Sequence, residues 1–146
     1  TNPNPPSGLV ANDGWFPDLD AADFVAVTEA GQVFSSERVK AQILSAMIEI
    51  NRSLAWWRGQ QRSAASLGEV PASRYGDESE LVILYRAAVF ARVRADLLLT
   101  VRDYDSTRDG HDRAHSLEAV AETYQRQSAE ALARLCGRSR SMVELI

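Results

Sequence analysis

The chain has 146 residues, a formal net charge of -4, 45% hydrophobic residues and 25% charged residues. That is room for one core, and the composition is globular rather than disordered. The sign of the charge is opposite to that of a free-standing nucleic-acid binder, and a single cysteine, Cys136, excludes an intramolecular disulfide and fits a reducing compartment.

Residues 1–16 read as an extended N-terminal arm. Pro3, Pro5, Pro6, Gly8 and Gly14 block both helix and central strand, and an arm of this kind needs something outside the domain to hold it. Trp15 and Phe16, beside Pro17, form an aromatic anchor. It either caps the domain's own core or docks on a neighbouring subunit.

A helical domain is predicted over 17–137. Asp18 or Asp20 caps a short helix at about 19–28, with Phe24 and Val27 facing inward and Gly31 as its stop. Ser35 and Ser36 offer N-caps for a second helix, about 36–62, with Glu37 at its positive end. Val39, Ile43, Met47, Ile50, Leu54 and Trp57 form one apolar stripe at spacings of three and four, widened by Leu44 and Ile48. A helix of that span is about 40 Å long, which in so small a domain points to packing on another chain. Adjacent helical residues point about 100° apart. With Trp57 on the stripe, Trp56 therefore lies at its edge. Trp56 and Arg58 serve there either as edge packing or as a subunit contact.

Residues 63–76 form a loop broken up by serine, glycine and proline. Asp77 and Glu80 make the aspartate form of a capping box for a third helix that runs to about Asp103. Leu81, Leu84, Tyr85, Ala88, Val89, Ala95, Leu98 and Leu99 cover much of its circumference, as on a central helix. Arg86, Arg92, Arg94 and Asp96 in the same stretch exclude a comfortable membrane span. A polar loop from Tyr104 to Asp112 leads into a fourth helix at about 113–136. Its Leu117, Ala121, Tyr124, Ser128, Ala131 and Leu135 form the seam for an antiparallel neighbour, and Gly137 ends it. The expected fold class is all-α: a small helical bundle of three long helices plus one short N-terminal helix.

Residues 138–146 are a C-terminal tail that this bundle does not need for its core. Met142, Val143, Leu145 and Ile146 are apolar and partly β-branched, and favour a strand. No other segment reads as a strand to pair with it. The tail therefore either adds to the edge of another protein's sheet or lies across its own bundle.

Chemistry has few footholds. His111 and His115 stand four apart, as two metal ligands on a helix can, with Asp109 and Asp112 nearby. No Glu flanks His111 as a zincin requires. There is no nucleophile with a base and an orienting group, and no glycine-rich phosphate loop. The reading assigns no catalytic residue, no metal ligand and no cofactor. Two alternatives to a structural protein stay open: a small metal-dependent enzyme around His111 and His115, and a DNA-packaging accessory that grips duplex through Arg138 and Arg140.

The order of features is more specific than any one of them. An aromatic pair runs into Pro17-Asp18-Leu19-Asp20, and a long helix precedes Glu69-Val70-Pro71-Ala72 and Gly76-Asp77-Glu78-Ser79. Tyr85-Arg86-Ala87-Ala88-Val89 then lies on a helix, Arg102-Asp103-Tyr104 breaks it, and the chain closes on Met142-Val143-Glu144-Leu145-Ile146. This order, over residues 15 to 146, resembles the head completion (head stabilisation) protein L family of contractile-tailed temperate bacteriophages. The resemblance implies a structural head-tail connector with no catalytic residue. It would form a homo-oligomeric ring, a dodecamer, beneath the portal protein in the neck of the virion, after assembly in the host cytoplasm. Packaged DNA would pass through the channel without specific binding, neck or tail-completion proteins would dock below, and no membrane would be involved. By the same resemblance the tail would be the portal-binding segment, through Arg138, Arg140, Met142, Val143, Glu144, Leu145 and Ile146. Trp15, Phe16, Trp56 and Arg58 are the candidate oligomer interface.

Overall fold

The computed structural model describes residues 4–28, 33–103 and 108–137. Gly31 and the whole of the tail, 138–146, lie outside the described residues. The chain begins with a short antiparallel ribbon. Strand β1 (Leu9–Val10) pairs with β2 (Leu19–Asp20), Leu9 opposite Asp20 and Val10 opposite Leu19. The connection turns at Asn12-Asp13-Gly14, where Gly14 takes a φ of 95° that a Cβ would strain.

Asp20 then caps helix α1 (Ala21–Thr28): its Oδ1 accepts from the Ala22 N–H at 2.8 Å and also holds the Gly8 N–H at 3.2 Å. Ala21, Phe24 and Thr28 face inward, and Val27 is 66% exposed rather than buried as the spacing predicted. The core lies on the side set by positions 21, 24 and 28, which a helix of two turns leaves Val27 outside.

Helix α2 (Ser36–Ser53) is capped by Ser35, whose hydroxyl accepts from the Arg38 N–H. Every member of the predicted six-residue stripe is buried, with Ala46 added to it. Leu44 and Ile48 are about half exposed, so the stripe is narrower than read. The single long helix is in fact broken. Leu54 has φ −94° and ψ 1°, and a separate turn, α3 (Ala55–Arg58), follows. At 18 residues α2 spans about 27 Å.

The predicted loop holds a 3₁₀ turn, Leu67–Glu69, whose Leu67 is fully buried, and a small hairpin, β3 (Arg74–Tyr75) with β4 (Glu78–Ser79). Asp77 sits in the hairpin turn, where its carbonyl accepts from Arg74. The start of α4 (Glu80–Asp103) is capped instead by Ser79, whose hydroxyl accepts from the Leu81 N–H at 3.1 Å. Helix α5 (Arg108–Leu135) begins inside the predicted polar loop, so that 108–112 are helical. Gly137, at φ 77°, donates to the Arg134 carbonyl and ends the helix as read.

The protein is predominantly helical, with two short β-ribbons that the all-α expectation did not include. Helix α4 is the central element, with Tyr85, Ala88, Val89, Val93 and Ala95 fully buried; it packs along α5 and against α2. The register of α4 and α5 is antiparallel. Ser128 donates to the Ala88 carbonyl at 2.8 Å, Arg94 lies over the Tyr124 ring, and Arg102 pairs with Glu118. No helix among the described residues is long and apolar enough to cross a membrane.

Candidate interaction surfaces

The N-terminal segment is held by its own domain. Pro6 is fully buried and Val10 nearly so, Ser7 N–H reaches the Ser36 hydroxyl, and the Ala21 N–H donates to the Gly8 carbonyl. The expectation that residues up to 16 need an external support is therefore not met from Pro6 onward. Trp15 and Phe16 are 8% and 3% exposed. Their rings meet edge to face, Phe16 stacks on Tyr85, and Trp15 meets Trp57. The indole N–H of Trp15 donates to the Ala64 carbonyl at 3.1 Å, and its carbonyl accepts from Leu67 N–H. Of their two readings, capping the chain's own core is what the structure shows; little of either ring is left to offer a neighbour.

Two polar devices lock this aromatic cluster. Asp13 Oδ1 accepts from the N–H groups of Trp15 and Phe16, both at 3.0 Å, and its Oδ2 pairs with Arg58 at 2.8 Å. Arg58 lies 5.0 Å above the Trp15 ring and 5.7 Å from that of Phe16. Its charge is thus committed to a carboxylate and two aromatic faces. Partial burial works to raise the Asp13 carboxyl, but the Phe16 and Trp15 amides and the Arg58 guanidinium hold it below its ordinary range. Beneath it, Tyr85 Oη donates to Asn51 Oδ1 at 2.6 Å, Asn51 Nδ2 to Asn12 Oδ1 at 2.8 Å, and Asn12 Nδ2 back to Tyr85 Oη at 2.9 Å. The three side chains close a ring of hydrogen bonds between the arm, α2 and α4. Burial pushes the Tyr85 phenol well up, so it stays a neutral donor. Sequence reasoning missed Asn12, Asp13 and Asn51. The available signal was Asn12-Asp13-Gly14, a turn triplet whose Asp can bond amides two and three residues on.

Trp56 is the one predicted interface aromatic that remains on the surface, 47% exposed on α3 while Trp57 points into the core. Leu44 and Ile48, four apart on α2, are exposed on that element. His111 and His115 both lie on α5, and the His115 side chain is exposed. Among the described residues no group of three or more His, Cys, Asp and Glu could hold a metal.

A further surface feature was not foreseen. A groove of about 320 Å³ runs along α4 between α1 and α5, floored by Ile83, Ala87, Phe90 and Ala91 and walled by Val27 and Tyr124. Arg86 and Arg94 stand along it. Arg86 is paired with Glu78, which holds that carboxyl below its ordinary range. Arg94 stacks 4.3 Å from the centre of the Tyr124 ring, and forms no ion pair among the described residues.

Set against known proteins, residues 10–146 match the family described as phage head completion protein (GPL). The chain is 30% identical over 140 residues to the head completion/stabilization protein of Escherichia phage P2, covering 94% of this chain and 83% of that one. It is 28% identical over 145 residues to the probable head completion/stabilization protein of Haemophilus phage HP1 (strain HP1c1), covering 94% and 92%. No solved structure matches it.

Proposed function

Because the chain belongs to the phage head completion protein family, we propose that it is the head-tail connector of its phage, a ring beneath the portal that closes the DNA-filled head and gives the neck or tail its docking surface. It is a structural head completion protein and not an enzyme, which removes the metal-enzyme alternative around His111 and His115. The portal would be met by the tail, through Arg138, Arg140 and the apolar run Met142 to Ile146. Subunits would meet through a surface that includes Trp56.

The observation that supports this reading most is a division within the family match. The match extends to residue 146, yet α5 ends at Leu135, Gly137 follows it at a φ of 77°, and Leu135 itself is already buried in the core at 2% exposure. Nine further residues of family sequence, four of them apolar, are more than the domain needs to close itself. Strand addition to a sheet edge on a partner would use both their backbone groups and their alternate side chains.

Deleting residues 138–146 tests it. The truncated chain is expected to keep its helical circular dichroism and its unfolding midpoint, and to lose measurable binding to its phage's portal protein by surface plasmon resonance. Portal binding at undiminished affinity would remove the tail from the interface.

A further inference from the structure

We propose that the outer face of α2 docks a second copy of this chain, the same face of the two copies packing antiparallel about a two-fold axis. This dimer is a state of the free protein. It goes beyond the connector reading and does not rest on it.

A surface helix ordinarily turns charged and polar side chains outward. Helix α2 sends Val39, Ile43, Met47 and Ile50 into the core, where it packs on α4, α1 and β1. On its other side Ala41, Leu44, Ser45 and Ile48 are exposed, Leu44 by 46% and Ile48 by 47%. No charged residue occurs anywhere from 41 to 48. Charge returns to this face only at its two ends, with Glu37 before it and Arg52 after it. Both are exposed, and neither forms an ion pair among the described residues.

The spacing selects the occupant. At about 100° per residue, Glu37, Ala41, Leu44, Ser45, Ile48 and Arg52 fall within about 50° of one line along α2. That line is symmetric about its midpoint, between Leu44 and Ser45. At 1.5 Å per residue, Ala41 and Ile48 lie about 5 Å on either side of it, and Glu37 and Arg52 about 11 Å. An antiparallel copy at the usual 8–10 Å between axes therefore sets Ala41 against Ile48 twice and Glu37 against Arg52 twice. Leu44 meets its own counterpart beside the two-fold axis. Farther round the helix, Arg38 comes to the flank of Glu49 of the second copy, again a base beside an acid. A parallel copy would oppose Glu37 to Glu37 and Arg52 to Arg52. An unrelated partner has no need of an acid and a base equally far from the centre. A two-fold contact does, because residue i meets j while j meets i. One helix face is small for a protein interface, so the affinity is modest. An isologous contact also closes at two chains, so it cannot build a ring; the free dimer must open, or use another face, as a ring forms.

Sedimentation velocity on the purified full-length chain, without portal, tests this. A monomer–dimer equilibrium with a dissociation constant of about 1–100 μM is expected. Leu44→Asp should leave only monomer; Leu44→Gln serves if the aspartate does not fold. Glu37→Arg and Arg52→Glu should each weaken the dimer at least fivefold, and the two together should restore it. Cross-linking checks the symmetry in a chain carrying Cys136→Ala. The two copies of residue 44 lie about 6 Å apart between Cα atoms at an interaxial distance of about 9 Å, within disulfide range. The two copies of residue 48 lie about 11 Å apart. Mild oxidation should therefore link Leu44→Cys chains in pairs and leave Ile48→Cys chains unlinked. A chain still monomeric at about 300 μM would overturn the proposal, as would a dimer that survives Leu44→Asp. Oligomers larger than two that dissolve on Leu44→Asp would mean a head-to-tail contact on this face, and would also overturn it.

Discussion

Asn12, Asn51 and Tyr85 tie the arm to α2 and α4, and Asp13 ties it to Arg58. A hydrogen-bonded ring buried at an element junction costs little while complete, and far more once one member is removed. Tyr85→Phe keeps the stacking on Phe16 but strips the hydroxyl from both asparagines. It is expected to lower unfolding stability by about 1–3 kcal/mol, measured by urea denaturation; a change within about 0.5 kcal/mol would mean that water replaces the hydroxyl without loss. Asp13 offers a pH test. Its carboxyl titrates below the ordinary 3.8 in the folded chain, so the folded state favours the charged form. The associated stability is complete above the ordinary value, and is lost as pH falls through the depressed folded value. Asp13→Asn keeps an oxygen for the Trp15 and Phe16 amides but no charge for Arg58. Between about pH 5 and pH 2 the natural chain should therefore lose stability more steeply than the variant; parallel urea-midpoint curves would show that the charge does not matter.

At the scale of elements, what could be read in the sequence depended on periodicity, and what could not depended on breaks and on long-range partners. The six-residue stripe of α2 and α3 is buried as spacing demanded, and so are Ala121, Ser128, Ala131 and Leu135 on α5. The break at Leu54 carries neither glycine nor proline to announce it. Its local sign is Ser53, whose hydroxyl bonds back to the Ile50 carbonyl, a habit that bends helices. The cap of α4 was misplaced by two residues because Asp77 and Ser79 are both good cap residues, and only the hairpin with Arg74–Tyr75 decides between them. The arm was misread because proline counting sees the strand it forbids, not the bonds from the Gly8 N–H to the Asp20 carboxylate and from the Ala21 N–H to the Gly8 carbonyl that hold the segment down. The break has a consequence for the two tryptophans. Trp57→Ala opens the core and should cost about 3–5 kcal/mol. Trp56→Ala should change monomer stability by less than about 1 kcal/mol, while reducing the yield of rings seen by negative-stain microscopy. Rings at the natural yield would take Trp56 out of the subunit contact.

For the molecule as a whole, the distribution of charge says more than its sum. The net charge is -4, yet the chain carries 16 cations, and a patch of them could still hold DNA. Among the described residues several arginines already have carboxylates. Arg58 pairs with Asp13, Arg86 with Glu78, Arg92 with Glu49 and Asp96, and Arg102 with Asp103 and Glu118. A guanidinium so paired releases no counterion from a phosphate backbone unless it first gives up its partner, and the gain from phosphate contact is offset accordingly. Arg138 and Arg140 are the cations on which the DNA-accessory alternative relied, and two phosphate contacts give only weak, salt-sensitive attachment. On the connector reading proposed above, the chain should therefore show no binding to a 30-base-pair duplex at about 0.15 M salt, with a dissociation constant above about 100 μM by fluorescence anisotropy. Binding tighter than that, weakening steeply as salt rises, would mean that the surface presents enough unpaired arginine to hold DNA, and would restore the accessory reading against the connector.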